Sequence, residues 1–290
     1  REIILSEQNI YSAIYALNSY ISERNLLSQE DLKLYAQLTD KFDFDGIISD
    51  VIDECKNTLN NILNTDNLFE ISVYFKIKNF NEEKNVVTYR PLHTSGLINQ
   101  ICMASMLIPL MFDDSDGTRK YSELSKMLPH NFYGNIPSEK VDILFRNWSE
   151  KYRQYTNTIN DKYQEYGKTR EYDKEISFDL EDFFPSVDPA FIYDFIIQKL
   201  ISRYNEEDLQ TLKCVITKLL YFWIPQNNLA EWKEVYYPTL NEEQFPVYFV
   251  NRGIAQGLPQ SYFFGNLCMI VVSEVMSSIP ELKGSDAFFY

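Results

Sequence analysis

The residues best suited to chemistry lie in one short run, ISFDLEDFFPSV, from Ile176 to Val187. Ile176, Phe178 and Leu180 alternate with Ser177 and Asp179, a strand-like period that predicts a strand over 174–180 and leaves Asp179 near its C-terminal end. A strand end holds a side chain rigidly enough to aim a carboxylate. Such a carboxylate suits a divalent cation. Mg²⁺ is typically held by one or two carboxylates plus phosphate oxygens, and two-metal phosphoryl transfer sets a pair of ions about 3.5–4 Å apart. Asp179 fits that requirement, with the Leu180 carbonyl as a further ligand. Phe183 and Phe184 follow after Glu181 and Asp182.

A second run, RGIAQGLPQS from Arg252 to Ser261, combines two glycines with a proline. Gly253 and Gly257 allow backbone conformations and close approaches that other residues resist. The helix expected after Ser261 would aim its first N–H groups at an anion. Either run alone also fits an ordinary turn with a helix cap.

Taken together and in this order, the two runs resemble the first and second palm motifs of bacterial reverse transcriptases. The first motif is a catalytic Asp followed by paired aromatics, Ser and a β-branched residue; the second is a Gln-Gly step followed by Pro and Ser. Gln260 and Tyr262 stand where smaller residues or Pro are frequent in the family. Upstream, FKIKN and TYRPLHTSGLINQ resemble the fingers hairpin and its following helix, with Arg90 at the position that contacts the incoming triphosphate and Lys76 and Lys78 as helpers. NFYGNIPS, followed by a long helix, is similar to the segment between fingers and palm in the abortive-infection and phage-defence branch. The resemblance spans about residues 69–290.

What the resemblance implies is specific. Asp179 and the Leu180 carbonyl would bind Mg²⁺. Arg90, Leu180, Phe183, Phe184, Gln256 and Gly257 would line the nucleotide site. Phe184, at the fifth position after Asp179, would act as a steric gate that favours deoxynucleotides. The expected activity is DNA synthesis from deoxynucleoside triphosphates in antiphage defence, templated by RNA, untemplated or protein-primed. Nucleic acid, as RNA template or DNA product, is the expected partner, and a homo-oligomer is compatible. Tyr290 matches the first residue of the third motif, Tyr-x-Asp-Asp, whose carboxylates would follow it; the chain as it stands, with one expected metal-binding carboxylate and no thumb, is expected to be inactive alone. The alternative is a catalytically silent module of the same fold that holds RNA or a protein partner.

The elements that must position these residues follow from periodicity. Helices are expected after the caps Ser6 and Ser28 and after Asp45, then over Ser95–Phe112, Pro137–Tyr166, Pro189–Ser202, Glu206–Trp223 and Ser261–Ile279. Strands are expected over Phe69–Lys78 and Val86–Leu92, joined by a polar hairpin loop, and at the terminal Ala287–Tyr290. Helices and strands mix without βαβ alternation, so the fold class is α+β. With the resemblance, this becomes a right-hand polymerase arrangement with a ferredoxin-like palm sheet. Its parts would be a helical N-terminal extension (1–68), fingers (69–170) and an incomplete palm (171–290).

Composition sets the outer bounds. The 290 residues are 45% hydrophobic and 15% aromatic, enough for a substantial core, and carry a net charge of −15. That charge argues against a general nucleic-acid coat, though a local basic channel can sit on an acidic body. The four cysteines, Cys55, Cys102, Cys214 and Cys268, lie far apart, and only two histidines accompany them, which argues against zinc and for free thiols in a reducing, cytoplasmic setting. The apolar stretch near Ile101–Phe112 is too short for a membrane span.

Overall fold

The computed structural model describes residues 1–24, 27–40, 45–113, 118–169, 175–180, 182–224, 247–248, 253–282 and 287–290. Arg252, the prolines Pro225, Pro238 and Pro246, and the first residue of the expected strand at 174 lie outside the described residues.

The fold is α+β, mainly helical. At the N-terminus are α1 (Glu2–Leu5), α2 (Glu7–Ala16), α3 (Asn18–Arg24), α4 (Gln29–Thr39) and α5 (Asp45–Asn64). The expected caps are present: Ser6 Oγ accepts from the Asn9 N–H at 3.2 Å, and Ser28 Oγ from the Asp31 N–H at 3.0 Å. The first expected strand divides in two at Ile71. Phe69–Glu70 (β1) pairs with a different sheet from Ser72–Asn81 (β2), because the Ile71 N–H donates to the Trp223 carbonyl at 2.9 Å. β2 pairs antiparallel with β3 (Val86–Thr94) to form a two-stranded ribbon with a bulge between Ile77 and Asn79.

The helix α6 (Leu97–Met111) follows the ribbon and is apolar all round. Most of its residues are buried, as expected of a helix covered on every side. It packs against α1, α2, α5, α7 (Glu123–Lys126), α11 (Glu206–Leu220) and α12 (Pro259–Ser278). Pro109 sits inside it. Proline has no N–H, so the Ser105 carbonyl four residues back loses its helical donor. The Asn9 side chain of α2 supplies one instead, at 2.8 Å. The N-terminal helices thereby complete the hydrogen bonding of the central helix as well as covering it.

Beyond α6 come β4 (Phe112–Asp113) and β5 (Lys120–Tyr121), paired with each other, and then α8 (Trp148–Thr169). The long helix expected from Pro137 therefore starts eleven residues later. Residues 137–147 form an irregular segment in which Pro137 bridges Phe145 and Leu144 is fully buried, its N–H donating to the Ala16 carbonyl at 3.2 Å. Asn147 is the cap, its Oδ1 accepting from the Glu150 N–H at 3.0 Å. α8 contributes no buried residue, and Trp148, Tyr152 and Tyr163 on its aromatic stripe are exposed, although a one-sided apolar stripe ordinarily faces the core.

The C-terminal part holds α9 (Phe183–Ser186), α10 (Pro189–Leu200), a 3₁₀ turn (Ile201–Arg203), α11, β6 (Phe222–Trp223), β7 (Val247–Tyr248) and α12. β6 lies between β1, parallel, and β7, antiparallel. The buried Lys218 of α11 donates to the carbonyls of Thr65 and Asn67 at 3.0 and 2.7 Å, tying α11 to the end of α5. Residues 175–180 differ from expectation: they form no strand and pair with nothing regular. A period-two pattern becomes a strand only beside another strand, and none of the described strands runs there. No ferredoxin-like sheet is present among the described residues.

Asn9→Ala is expected to cost about 1–3 kcal/mol, because it orphans a buried carbonyl. In a Pro109→Ala background the Ser105 carbonyl regains a backbone donor, so the same substitution should cost about 1 kcal/mol less. A double-mutant cycle by urea unfolding measures that coupling.

Candidate functional site

Three segments far apart in sequence come into contact: the β2–β3 ribbon, whose base meets the Gly-rich segment, and the turn after Asp179, which touches both the Gly-rich segment and the ribbon further along β2. Each contact follows from a specific residue type.

The first contact joins the two runs singled out above. The Ile254 N–H donates to the Phe184 carbonyl at 2.9 Å. Gly253 permits this with φ at +84°, and a Cβ there would lie 2.2 Å from the Phe184 oxygen. The Phe184 ring packs edge-on against Tyr262 of α12 at 5.6 Å, and Phe183 lies against Gly265, where a Cβ would meet its ring at 3.1 Å. Both rings are half-buried. Asp182, in the left-handed region at φ 48°, turns the chain into α9, a conformation that Asp tolerates better than most residues.

The second contact joins the ribbon to the Gly-rich segment. The Gln256 carbonyl accepts from the His93 backbone N–H at 2.7 Å and lies 3.1 Å from His93 Nδ1. Gly257, at φ +115°, brings its backbone so close that a Cβ would stand 2.5 Å from the His93 oxygen. Burial pushes the His93 pKa down to about 4, against the opposing effect of its hydrogen bond to Gln256. The ring is therefore neutral at pH 7, and facing a carbonyl makes Nδ1 the protonated nitrogen.

The third contact is an ion pair. Lys78 Nζ stands 3.7 Å from Asp182 Oδ1, with both side chains about half exposed. Its strength is that of a surface pair, about 0–1 kcal/mol, yet it links the ribbon to the turn after Asp179.

The expected site residues fall into two groups. Phe183, Phe184, Gln256 and Gly257 are brought together as described. Every residue from Gly253 to Gly265 is buried except Gln256, whose side chain is partly exposed. Asp179 and Leu180 lie in the exposed, unpaired stretch, with Ile176 and Phe178 also exposed. Arg90 is exposed and directly opposite Lys76 in the ribbon register. Two cations facing each other across a strand pair repel, which makes that face of the ribbon a good place for an anion. It is Lys78, however, that reaches the turn.

One expectation is corrected. The last helix starts at Pro259 rather than after Ser261, and Pro259, Gln260, Ser261 and Tyr262 are all buried. Protein surrounds its first turn, which leaves no open approach for a phosphate. Gln260 instead donates to the Met103 sulfur of α6 at 3.2 Å.

Sequence reasoning missed His93, because a histidine without cysteines or a second histidine beside it carries no motif. NFYGN, expected to lie between fingers and palm, makes contacts that nothing in its sequence indicates. Tyr133 N–H donates to the Phe289 carbonyl at 2.8 Å and Phe289 N–H to the Asn131 carbonyl at 3.1 Å, so this segment bridges the terminal residues in parallel. The start of a strand at Ala287–Tyr290 is thus an isolated bridge at Phe289. Asn266 of α12 donates to the carbonyls of both Gly134 and Asn135 at 2.9 Å, and Tyr290 packs against Tyr152 and Tyr155 of α8. The cysteines are free thiols, with Cys55 and Cys102 buried.

Among the described residues no cluster of three or more His, Cys, Asp or Glu forms a metal cage. Asp179 supplies an open carboxylate of the kind Mg²⁺ uses when phosphate completes its shell.

Two outcomes test this geometry. Gly253→Ala should cost about 2 kcal/mol or more, since it combines a clash with a positive φ, whereas Gly46→Ala, with nothing within 4 Å of the added Cβ, should stay within about 1 kcal/mol by thermal unfolding. The lowered His93 pKa means that the unfolded chain binds more protons between about pH 4 and the ordinary value of 6.5. The His93 contribution should therefore be complete above 6.5 and be lost as pH falls through that window. Wild type should lose about 3 kcal/mol more than His93→Asn between pH 7 and 4, measured by urea unfolding.

No protein-family model matches the chain, and no curated protein matches it. No helix among the described residues is long and apolar enough to cross a membrane.

Proposed function

We propose that the chain is the fingers and palm portion of a reverse-transcriptase-like DNA polymerase that joins deoxynucleotides in antiphage defence. The observation that carries this reading is the convergence of the ribbon, the Asp179–Val187 run and the Gly-rich run through the His93–Gln256, Lys78–Asp182 and Ile254–Phe184 contacts.

In this reading Arg90, with Lys76 beside it, holds the triphosphate. Phe184 stands below the sugar, and its ring is braced by Tyr262. Gln256 and the Gly257 backbone flank the nascent base pair. Asp179 and the Leu180 carbonyl hold Mg²⁺, which supplies charge neutralisation at the phosphates when bound. Lys76 and Arg90, opposite each other on the ribbon, give the acidic chain a small local cationic surface for phosphate, while Glu82 and Glu83 offset Lys84 at the hairpin tip. The catalytically silent module remains the outcome to which a negative test would lead.

The test uses the full-length protein with Mg²⁺ and each labelled deoxynucleotide or ribonucleotide, first without template and then with an RNA template. Deoxynucleotide incorporation is expected, reduced about 100-fold or more in Asp179→Ala, the scale on which one electrostatic stabiliser acts. Because Asp179 is exposed, the variant should fold normally. No incorporation under either condition would leave the binding module.

A further inference from the structure

We propose that His93 is a positioning residue that locks the Gln256–Gly257 peptide to the base of the β2–β3 ribbon, so that the Gln256 side chain and the ribbon cations keep one fixed geometry. The role of Gln256 in meeting the nucleotide rests on the polymerase reading; the lock itself does not.

A carbonyl oxygen has two lone pairs. A single hydrogen bond from the His93 backbone N–H would leave the Gln256–Gly257 peptide free to pivot about the N–H···O axis, and any residue but proline at position 93 would supply it. The ring adds a second donor, Nδ1, to the same oxygen at 3.1 Å, from a direction set by its own side-chain torsions. Two donors on one oxygen remove the pivot. The reverse side is closed as well, because the Gly257 backbone lies against the His93 carbonyl with no room for a Cβ.

Position 93 is almost fully buried, a place where an apolar β-branched residue would normally serve a strand end. Burying an imidazole costs free energy unless its polar atoms are used. Here the use is directed at the one residue between Gly253 and Gly265 whose side chain reaches solvent. Holding the Gln256–Gly257 peptide also holds the Gln256 Cα, which lies in the same plane and from which the side chain extends. Further along β2, Lys78 holds the turn after Asp179, so the ribbon spans both halves of the candidate site and His93 is the buried anchor.

The experiment compares full-length wild type with His93→Leu, which fills similar space without a donor, and His93→Asn, whose amide nitrogen takes the place of Nδ1. Should His93→Leu fail to fold, His93→Gln, whose amide lies nearer the Nε2 position, replaces it. Amide hydrogen exchange is read over residues 253–258, with α6 and α12 as internal controls. Exchange in 253–258 should rise about tenfold in His93→Leu, return to wild type in His93→Asn, and leave the control helices unchanged. In the Mg²⁺-dependent incorporation assay, His93→Leu should raise KM for deoxynucleotide about tenfold with kcat within about threefold, again rescued by Asn. Unchanged exchange at 253–258, or a loss of protection spread equally through α6 and α12, would overturn the proposal. Exchange that responds as expected in a protein that incorporates no nucleotide would uphold the lock and remove the polymerase reading alone.

Discussion

The burial of α6 is the constraint on which the rest of the structure depends. A helix apolar on all sides must be covered on all sides, and α1, α2, α5, α7, α11 and α12 provide the cover. Burial would normally forbid a proline there, since the carbonyl it strands would be cut off from water. Asn9 resolves that conflict from α2. Once α6 is held, its N-terminal end fixes where the ribbon begins, because Thr94, Ser95 and Gly96 lead directly from β3 into it. His93 is therefore carried to a defined place, and with it the Gln256 carbonyl.

The site built on that frame has a division of labour. Its anchors are buried and directional: two donors on the Gln256 oxygen, one N–H on the Phe184 oxygen, and two glycines pressed against backbone. Its exposed groups, Asp179, Arg90, Lys76 and the Gln256 side chain, are left free of such constraint and face solvent. Rigid backbone beneath accessible polar side chains is the arrangement that preorganises a binding surface, because the ordering cost of the backbone is met by the fold before a ligand arrives. On a chain of net charge −15, the facing cations Lys76 and Arg90 are a local exception that favours an anion.

The aromatic content, high for a chain of this size, has a comparable logic. Tyr133, Tyr152, Tyr155 and Tyr290 pack around the bridge between NFYGN and the terminal residues, while Phe145, Phe184 and Tyr20 gather on Tyr262. Each ring contributes large apolar area with a preferred edge-to-face or tilted geometry. One cluster holds the chain end against α8, and the other holds the turn after Asp179 against α12.

What the sequence determined by itself was local. Most of the helices, the Ser6 and Ser28 caps, the ribbon and the α+β class were legible because their causes lie within a few residues: a cap three positions ahead, apolar side chains at three- and four-residue spacing, alternation across a pleat. Tertiary structure decided the rest. Residues 137–147 are drawn out of a helix because Leu144 packs against the end of α2, Ile71 divides one expected strand between two sheets, and none of the described strands runs beside 175–180. His93 shows the limit most clearly. Its ring acquires a role only through a carbonyl 163 residues away, and a hydrogen bond between such distant positions exists only after the chain between them has folded.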